Sequence, residues 1–164
     1  MDNRGKSAIS EKTAYSRMAR ICSMKECCEF DIRIKIRRYN LEEVGAEDRI
    51  IALLKKGKYI DDQRYVDSFV HDKFQFNKWG KSKIEAALWE KHIPAELIKT
   101  AFSEIPKDKW LQSLMLQLEN KYKSISFQSE IEAKTKLLRY AAGRGYGYEE
   151  SLRCIEELLR KKNK

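Results

Sequence analysis

The sequence predicts an all-α protein of three tandem three-helix repeats, arranged as an elongated, curved helical array of right-handed type. Three observations support this fold class. The 164 residues include only two prolines and seven glycines, and they are rich in residues that favour helices. Apolar residues recur three and four positions apart along most of the chain, which is the spacing of a buried helical face. The apolar pattern also repeats with a period of roughly 50 residues.

The repeat is visible in three superimposable sets of apolar residues. They are Ile32, Ile36 and Leu41, then Ile84, Leu88 and Ile93, and finally Leu137, Ala141 and Tyr146. Each set is followed by a further amphipathic segment, so each repeat holds about three helices. We therefore expect a flexible N-terminal tail at 1–10, a first repeat at 11–58, a second at 59–105 and a third at 106–164.

One segment of the first repeat has an ambiguous pattern. In FDIRIKIRRY, residues 30–39, apolar and charged residues alternate, which locally favours a β-strand. The rest of the chain offers no partner strand, and a lone strand leaves its backbone groups unpaired. Ile32, Ile36 and Tyr39 also fit one face of a helix, so we predict a helix here.

The second repeat opens with adjacent aspartates, Asp61 and Asp62, in the segment YIDDQRYVDSFVHDKF. As an N-cap, Asp61 would accept a backbone N–H of the first helical turn, and both carboxylates would suit the helix dipole. Ile60 and Tyr65 would then hold the positions of a hydrophobic staple. The alternative is a catalytic pair, but neighbouring helical side chains point about 100° apart and no histidine or further acid joins them. The geometry favours a helix start.

Later boundaries are marked by proline and glycine. Pro94 and Pro106 occupy positions that the first turn of a helix tolerates. The third repeat continues with an apolar stripe that includes Leu111 and Leu118. GRGYGY, residues 143–148, predicts a turn between the last two helices.

Charge is distributed unevenly along the chain. The net charge is +9; residues 1–58 hold 14 basic against 9 acidic residues, 59–105 hold 7 against 8, and 106–164 hold 13 against 8. The basic excess therefore lies in the two outer repeats, where it favours polyanions or acidic protein surfaces.

Several classes of protein are disfavoured by the sequence. It has neither an apolar run of membrane-spanning length nor a signal-peptide core, so we expect a cytoplasmic protein. The four cysteines are then reduced thiols, and their spacing does not match a zinc site. P-loop, GxSxG and HExxH motifs are missing, so we expect neither an enzyme nor a cofactor.

Basic residues beside aromatic ones are the candidate contacts. In KWGKSK, residues 78–83, lysines at a helix start suit phosphate, and Trp79 is a candidate for stacking on a base or on a partner side chain. The alternative is a core tryptophan with solvated lysines. The full set of candidate partner-binding residues is Arg33, Arg37, Arg64, Lys73, Lys78, Trp79, Lys81, Lys83 and Arg144.

The middle of the chain resembles the RecX family of RecA regulators. The resemblance rests on YIDDQRYVDSFVHDKF followed by WGKSKIEAALWEKHIP, which supply the family's residues in order: Asp61, Asp62, Arg64, Tyr65, Phe69, Gly80, Ile84, Leu88, Lys91 and Ile93. Val66 replaces a usual alanine, and His92 replaces the glycine that usually precedes Ile93. The outer repeats agree with the family mainly in apolar pattern and position.

The resemblance implies a regulator that is not itself an enzyme. It would lie in the groove of the RecA–DNA filament and inhibit ATP hydrolysis, filament extension and strand exchange, and so act in homologous recombination, DNA repair and the SOS response. It would be a monomer whose basic repeats are able to contact DNA. The alternative is a stand-alone nucleic-acid-binding helical protein, and a third, weaker one is a helical scaffold without either activity.

Overall fold

The computed structural model describes residues 8–162, and this range contains nine α-helices. They are α1 (Glu11–Met24), α2 (Glu29–Ile36), α3 (Ala46–Lys56), α4 (Asp62–Gln75), α5 (Lys81–Trp89), α6 (Ala95–Ser103), α7 (Lys107–Ser124), α8 (Glu130–Arg144) and α9 (Tyr148–Lys162). The same range holds no strand beyond one isolated bridge, between Ile9 and Leu41. The predicted all-α class is confirmed. None of these helices is long and apolar enough to span a membrane.

By compactness the chain divides into two units. The first comprises the described residues up to Ser68 together with Lys91–Ile93, and the second comprises Phe69–Glu90 and the chain from Pro94 onward. α4 contributes to both units. The division into three repeats and the curved array stay predictions. Most of the predicted tail, residues 1–7, lies outside the described range.

The first unit is built around α1, α2 and α3. Its core includes the fully buried Met18, Ile32, Ile36, Ile50 and Leu54. α2 confirms the predicted helix over residues 30–36, because Ile32 and Ile36 face this core one helical turn apart. The last three residues of the predicted segment, 37–39, form a turn after the helix. The alternation that resembles a strand therefore reflects charged residues on the outer side of a short helix.

Lys91–Ile93, which follow α5, also belong to the first unit. Lys91 Nζ lies 2.8 Å from Asp31 Oδ1, and the His92 ring meets the edge of the Phe30 ring with centroids 4.9 Å apart. His92 has φ +56°, in the left-handed region that glycine adopts without strain. This chain therefore keeps a glycine-type turn with histidine, supported by the ion pair and the ring contact.

The aspartates at the start of α4 contact different groups. Asp61 Oδ1 accepts the N–H of Arg64 at 2.9 Å, which is the predicted N-cap. Asp62 Oδ2 lies 3.9 Å from Lys55 Nζ. Ile60 and Tyr65 are buried, as a hydrophobic staple requires. The predicted helix start is confirmed.

The second unit has its core among α7, α8 and α9. The buried side chains include Leu114, Leu118, Leu137, Ile155 and Leu158. A polar network lies within this unit: the Gln117 amide donates to the Tyr146 hydroxyl at 2.9 Å, and the Tyr146 hydroxyl donates to Ser113 Oγ at 3.1 Å. These bonds satisfy the amide nitrogen of Gln117 and the Tyr146 hydroxyl, whereas Gln117 Oε1 is buried without a donor among the described residues.

The α8–α9 turn meets the start of α5 backbone to backbone. The N–H of Gly80 donates to the Arg144 carbonyl at 2.7 Å, and the N–H of Ser82 donates to the Gly145 carbonyl at 3.1 Å. A Cβ on Gly80 would stand 2.3 Å from the Gly145 oxygen, and one on Gly145 would stand 2.4 Å from Lys83 Cβ. Gly145 also has φ +86°. Only glycine fits both positions, and we call this contact the glycine crossing.

Adding a methyl group at the glycine crossing should destabilise the second unit. We expect Gly145→Ala and Gly80→Ala each to lower the free energy of unfolding by about 2 to 4 kcal/mol, because backbone atoms cannot yield as side chains do. Trp79, Trp89 and Trp110 all lie in this unit, so tryptophan fluorescence during urea unfolding reports on it.

The matched control is Gly143→Ala. Gly143 lies in α8 with nothing within 4 Å of an added Cβ, so this change should be neutral or stabilise by up to about 1 kcal/mol. Equal losses at positions 143 and 145 would contradict the assignment of the crossing.

Removing the N-cap of α4 should weaken that helix measurably. We expect Asp61→Ala to cost about 1 kcal/mol of unfolding free energy, since the Arg64 N–H loses its acceptor. Asp61→Ser retains a capping oxygen and should recover most of that loss in thermal and urea melts followed by circular dichroism. An Asp61→Ala variant as stable as the parent would show that the cap contributes nothing.

Candidate partner-binding surface

The structure separates the nine predicted contact residues between the two units. Lys73, Lys78, Trp79, Lys81, Lys83 and Arg144 lie in the second unit, and Arg33, Arg37 and Arg64 lie in the first. Their role in binding stays a prediction. Their surroundings differ sharply, and that difference indicates which of them have charge left for a partner.

Trp79 lies half-buried between two lysines. Lys83 Nζ stands 4.7 Å from the centre of the indole ring, and Lys73 Nζ stands 5.0 Å from it. Such cation–π contacts hold the ammonium groups near the ring at an energy of roughly 1 kcal/mol each. Trp79 is thus neither a core residue nor a free stacking platform, since its ring is already covered by positive charge.

Arg144, the last residue of α8, lies near this group. Its guanidinium donates to the Asn77 carbonyl at 3.0 Å and lies 5.3 Å from the centre of the Tyr140 ring. Lys83 Nζ in turn donates to the Gly143 carbonyl at 3.1 Å. We call Lys73, Trp79, Lys83 and Arg144 the Trp79 cluster. Residues more than sixty positions apart in sequence meet here because the glycine crossing brings their backbones together.

The cluster retains its positive charge. Within residues 8–162, Lys73, Lys78, Lys83 and Arg144 form no ion pair with a carboxylate. Their hydrogen-bond acceptors are backbone carbonyls, and their ring contacts are aromatic, so the formal charge is not cancelled. A long lysine side chain of this kind is able to leave a ring and meet an anion.

The lysines at the start of α5 were predicted to contact phosphate, and a helix N-terminus adds backbone N–H donors to such a contact. Gly80 and Ser82 instead donate their N–H groups to the carbonyls of the α8–α9 turn, so these two donors are already used. An anion at this end of α5 would therefore depend mainly on lysine ammonium groups rather than on the helix terminus.

Lys81 does not join the Trp79 cluster. Its ammonium group lies 5.3 Å from the centre of the Trp110 ring and 5.8 Å from that of Phe102. The lysines of KWGKSK thus belong to two different places on the second unit, one around Trp79 and one around Trp110.

The three predicted contact arginines of the first unit form ion pairs with carboxylates. Arg33 contacts Glu29 at 2.7 Å and Glu47 and Asp48 at 2.8 Å each, and Arg37 shares Glu47 at 3.0 Å. Arg64 Nε donates to Glu26 at 2.7 Å. These hydrogen-bonded ion pairs raise the pKa of all three guanidinium groups and lower that of Glu47. The surface is basic in sequence but locally neutralised in the fold.

An exposed aromatic residue beside the cluster was missed by the sequence analysis. Phe76 is 76% exposed on the α4–α5 connection, edge-on to the His71 ring. Lys78, two residues on, has φ +56° and is exposed. The available signal was a phenylalanine between polar residues in QFNK, outside any apolar stripe. Phe76 adds an apolar contact to a basic surface, which is a common composition at protein interfaces.

The cysteines are buried, and among residues 8–162 no group of three or more His, Cys, Asp or Glu residues is placed to hold a metal. Burial raises the pKa of the Cys22 thiol to about 12 and that of Cys28 to about 11. Burial also raises the pKa of Cys27 and Cys154.

Native alkylation should therefore be slow at all four cysteines. At pH 8 a thiol of pKa about 12 is ionised in only about one molecule in ten thousand, and the thiolate is the reactive form. We expect iodoacetamide to modify the folded protein far more slowly than the urea-denatured protein, as followed by mass spectrometry. Fast labelling of Cys22 in the folded state would contradict its burial.

Comparison with known proteins relates these features to a family. Residues 61–101 match the family model described as RecX, second three-helix domain. This segment includes Lys73, Lys78, Trp79, Lys81 and Lys83, but Arg144 lies outside it.

Curated relatives extend the match over more of the chain. The regulatory protein RecX of Clostridium acetobutylicum is 28% identical over 139 residues, which are 82% of this chain and 64% of that protein. The regulatory protein RecX of Bacillus mycoides is 28% identical over 124 residues, which are 74% of this chain and 46% of that protein. The chain thus spans about half to two thirds of the length of these relatives.

Solved structures support the fold. A crystal structure of RecX from Lactobacillus salivarius matches with a TM-score of 0.76 at 18% identity, covering 90% of this chain and 96% of that one. A crystal structure of regulatory protein RecX also gives 0.76, at 23% identity, covering 90% and 71% of the two chains. The family model and the curated relatives agree with one another: residues 61–101 match the RecX model, and most of the chain is similar to RecX proteins at 28% identity.

Proposed function

We propose that this chain is a member of the RecX family, that it regulates the RecA recombinase by binding RecA–DNA filaments, and that it does so without catalysing a reaction. Binding inhibits ATP hydrolysis, filament extension and strand exchange. The observation that carries the proposal is the family match at residues 61–101, because this segment also holds five of the six predicted contact residues of the second unit. Such a protein works in the cytoplasm, in recombination, DNA repair and the SOS response.

The Trp79 cluster and its flanking residues supply the contact surface. Two cations, from Lys73 and Lys83, lie over the Trp79 indole ring, and Arg144 donates to the Asn77 carbonyl on the adjoining connection, which also carries the exposed Lys78 and Phe76. An acidic face of a filament protomer pairs with these ammonium groups, and an apolar recess in it takes Phe76. Arginine and aromatic residues are over-represented in the energetically important parts of protein interfaces.

Arg33, Arg37 and Arg64 belong to the proposed surface only if a partner competes with carboxylates of the same unit. Exchanging an internal ion pair for an external one yields little net energy, because both states pair the charge. We therefore assign the main contact to the second unit, and treat these three arginines as secondary.

A second candidate function is direct binding to nucleic acid as a monomer without a filament. The cations of Lys73, Lys78, Lys83 and Arg144 also favour this function, since ammonium and guanidinium groups near an aromatic ring suit single-stranded nucleic acid. Salt distinguishes the two functions. Each phosphate contact releases counterions, so binding to bare DNA weakens steeply with salt, while a shape-complementary protein interface persists.

The proposal is tested by ATP hydrolysis of RecA from the same organism on single-stranded DNA at near-physiological salt. We expect hydrolysis to fall as the chain is added, at concentrations where it does not bind bare DNA. Lys73→Gln with Lys83→Gln should shift the inhibition curve by about tenfold or more, since two charged contacts are lost.

The matched control removes the same charge elsewhere on the second unit. Lys109→Gln with Lys123→Gln alters two exposed lysines of α7 that lie outside the cluster, and should leave the curve in place. Thermal melts confirm that both double variants are folded. Unchanged hydrolysis at a large excess of folded parent protein would refute filament regulation, and inhibition that disappears together with DNA binding would favour the second function.

A further inference from the structure

The second unit contains an open groove that is separate from the Trp79 cluster. Its volume is about 600 Å³, and its lining includes Lys81, Phe102, Lys107, Trp110, Tyr146 and Glu150. These residues come from α5, α6, α7, the α8–α9 turn and α9. A groove of this size holds a few residues of an extended peptide.

Trp110 lies in this groove with an unused hydrogen-bond donor. The side chain is 3% exposed, and its Nε1 is buried without an acceptor among the described residues. A buried donor left unpaired costs about 1 to 3 kcal/mol. Natural proteins leave few such groups unexplained, and a ligand that brings an acceptor is one explanation.

Lys81 covers this tryptophan. Its ammonium group stands 5.3 Å from the centre of the Trp110 ring and 5.8 Å from that of Phe102, and the residue itself is exposed. A carboxylate that pairs with Lys81 would draw the lysine off the ring. The same movement would uncover part of the Trp110 side chain, which lines the groove.

The charge pattern of the groove indicates the class of ligand. Lys81 and Lys107 supply two cations, and Glu150 supplies one carboxylate; none of the three forms an ion pair within residues 8–162. Nucleic acid carries a phosphate at every nucleotide, so it would bring like charge against Glu150. A peptide brings carboxylates for the lysines and backbone N–H donors for Glu150.

We infer that this groove binds an acidic peptide segment of a protein partner. A carboxylate of the segment pairs with Lys81 and Lys107, and a peptide oxygen accepts the Trp110 indole N–H. The inference deepens the proposed function by naming the chemistry of a second contact with the filament, and it rests on that function for the identity of the partner. The groove itself is testable without RecA.

The test is a titration of the full chain, labelled with ¹⁵N, by the peptide acetyl-Gly-Asp-Glu-Leu-Glu-Gly-amide up to about 5 mM, a range that detects weak affinities. Three tryptophans give three indole N–H signals, and Trp110→Phe identifies the one that belongs to residue 110. We expect this signal to move downfield as the indole gains an acceptor. The Trp79 signal should move less.

Charge variants locate the contact. Lys81→Gln and Lys107→Gln should each weaken peptide binding by about fivefold, the loss expected for one exposed ion pair at the upper end of its range. Lys123→Gln removes the same charge outside the groove and should leave the affinity unchanged. The same peptide with asparagine and glutamine in place of its acidic residues should leave the Trp110 signal in place.

Three results would overturn the inference. They are an unmoved Trp110 signal at the highest peptide concentration, a shift that survives both lysine variants, and a shift produced by the single-stranded oligonucleotide dT6 but not by the peptide. RecA is not part of this titration. If the peptide does not bind but the chain still inhibits RecA, only the peptide-binding groove is refuted. If the peptide binds but RecA hydrolysis is unaffected by the chain, only the proposed function is refuted.

Discussion

The close approach of two backbones at Gly80 and Gly145 is the constraint on which the second unit depends. Two hydrogen bonds join the start of α5 to the α8–α9 turn, and neither glycine has room for a side chain. This contact fixes where α5 begins relative to α8 and α9, and so fixes both binding features of the unit. On one side it places Lys83 over the Trp79 ring and Arg144 against the Asn77 carbonyl. On the other it places Lys81 and the α8–α9 turn along the groove that holds Trp110.

The predicted contact residues of the two units have different kinds of partner. In the first, the arginines of α2 and α4 are matched by carboxylates on α2, on α3 and on the α1–α2 connection, so the charge serves mainly to stabilise the fold. In the second, the cations around Trp79 and Trp110 contact rings and carbonyls. Net charge read from the sequence ranked the outer repeats as the most basic. The charge that remains available after folding depends on which partners lie within a few ångströms. By that measure the surface around Trp79 retains more unpaired positive charge than the surface around Arg33, Arg37 and Arg64.

Local features of the fold were predictable from sequence, and long-range ones were not. Asp61 as N-cap, a helix within residues 30–39 and a turn within 143–148 follow from neighbouring residues, because capping, helical periodicity and turn formation act over a few positions. The exact bounds differ, since α2 ends at Ile36 and the turn is limited to residues 145–147. The glycine crossing joins positions 65 residues apart, and one sequence carries no signal of such a pairing. For the same reason the rings that Lys81 and Lys83 contact, Trp110 and Trp79, became visible only with the fold.

The left-handed residue His92 has a consequence for how this chain can change in evolution. The turn at 91–93 is secured by the ion pair of Lys91 with Asp31 and by the contact of the His92 ring with Phe30, both outside the turn's own backbone. In a residue other than glycine, the positive φ destabilises the folded state by about 1 kcal/mol or more. The same residue also lowers the conformational entropy of the unfolded chain, which favours folding. These effects largely offset each other, so position 92 can drift between glycine and larger residues. Positions 31 and 91 cannot drift independently, because a substitution that removes one charge leaves the other half-buried without its partner, and compensating changes should arise there as a pair.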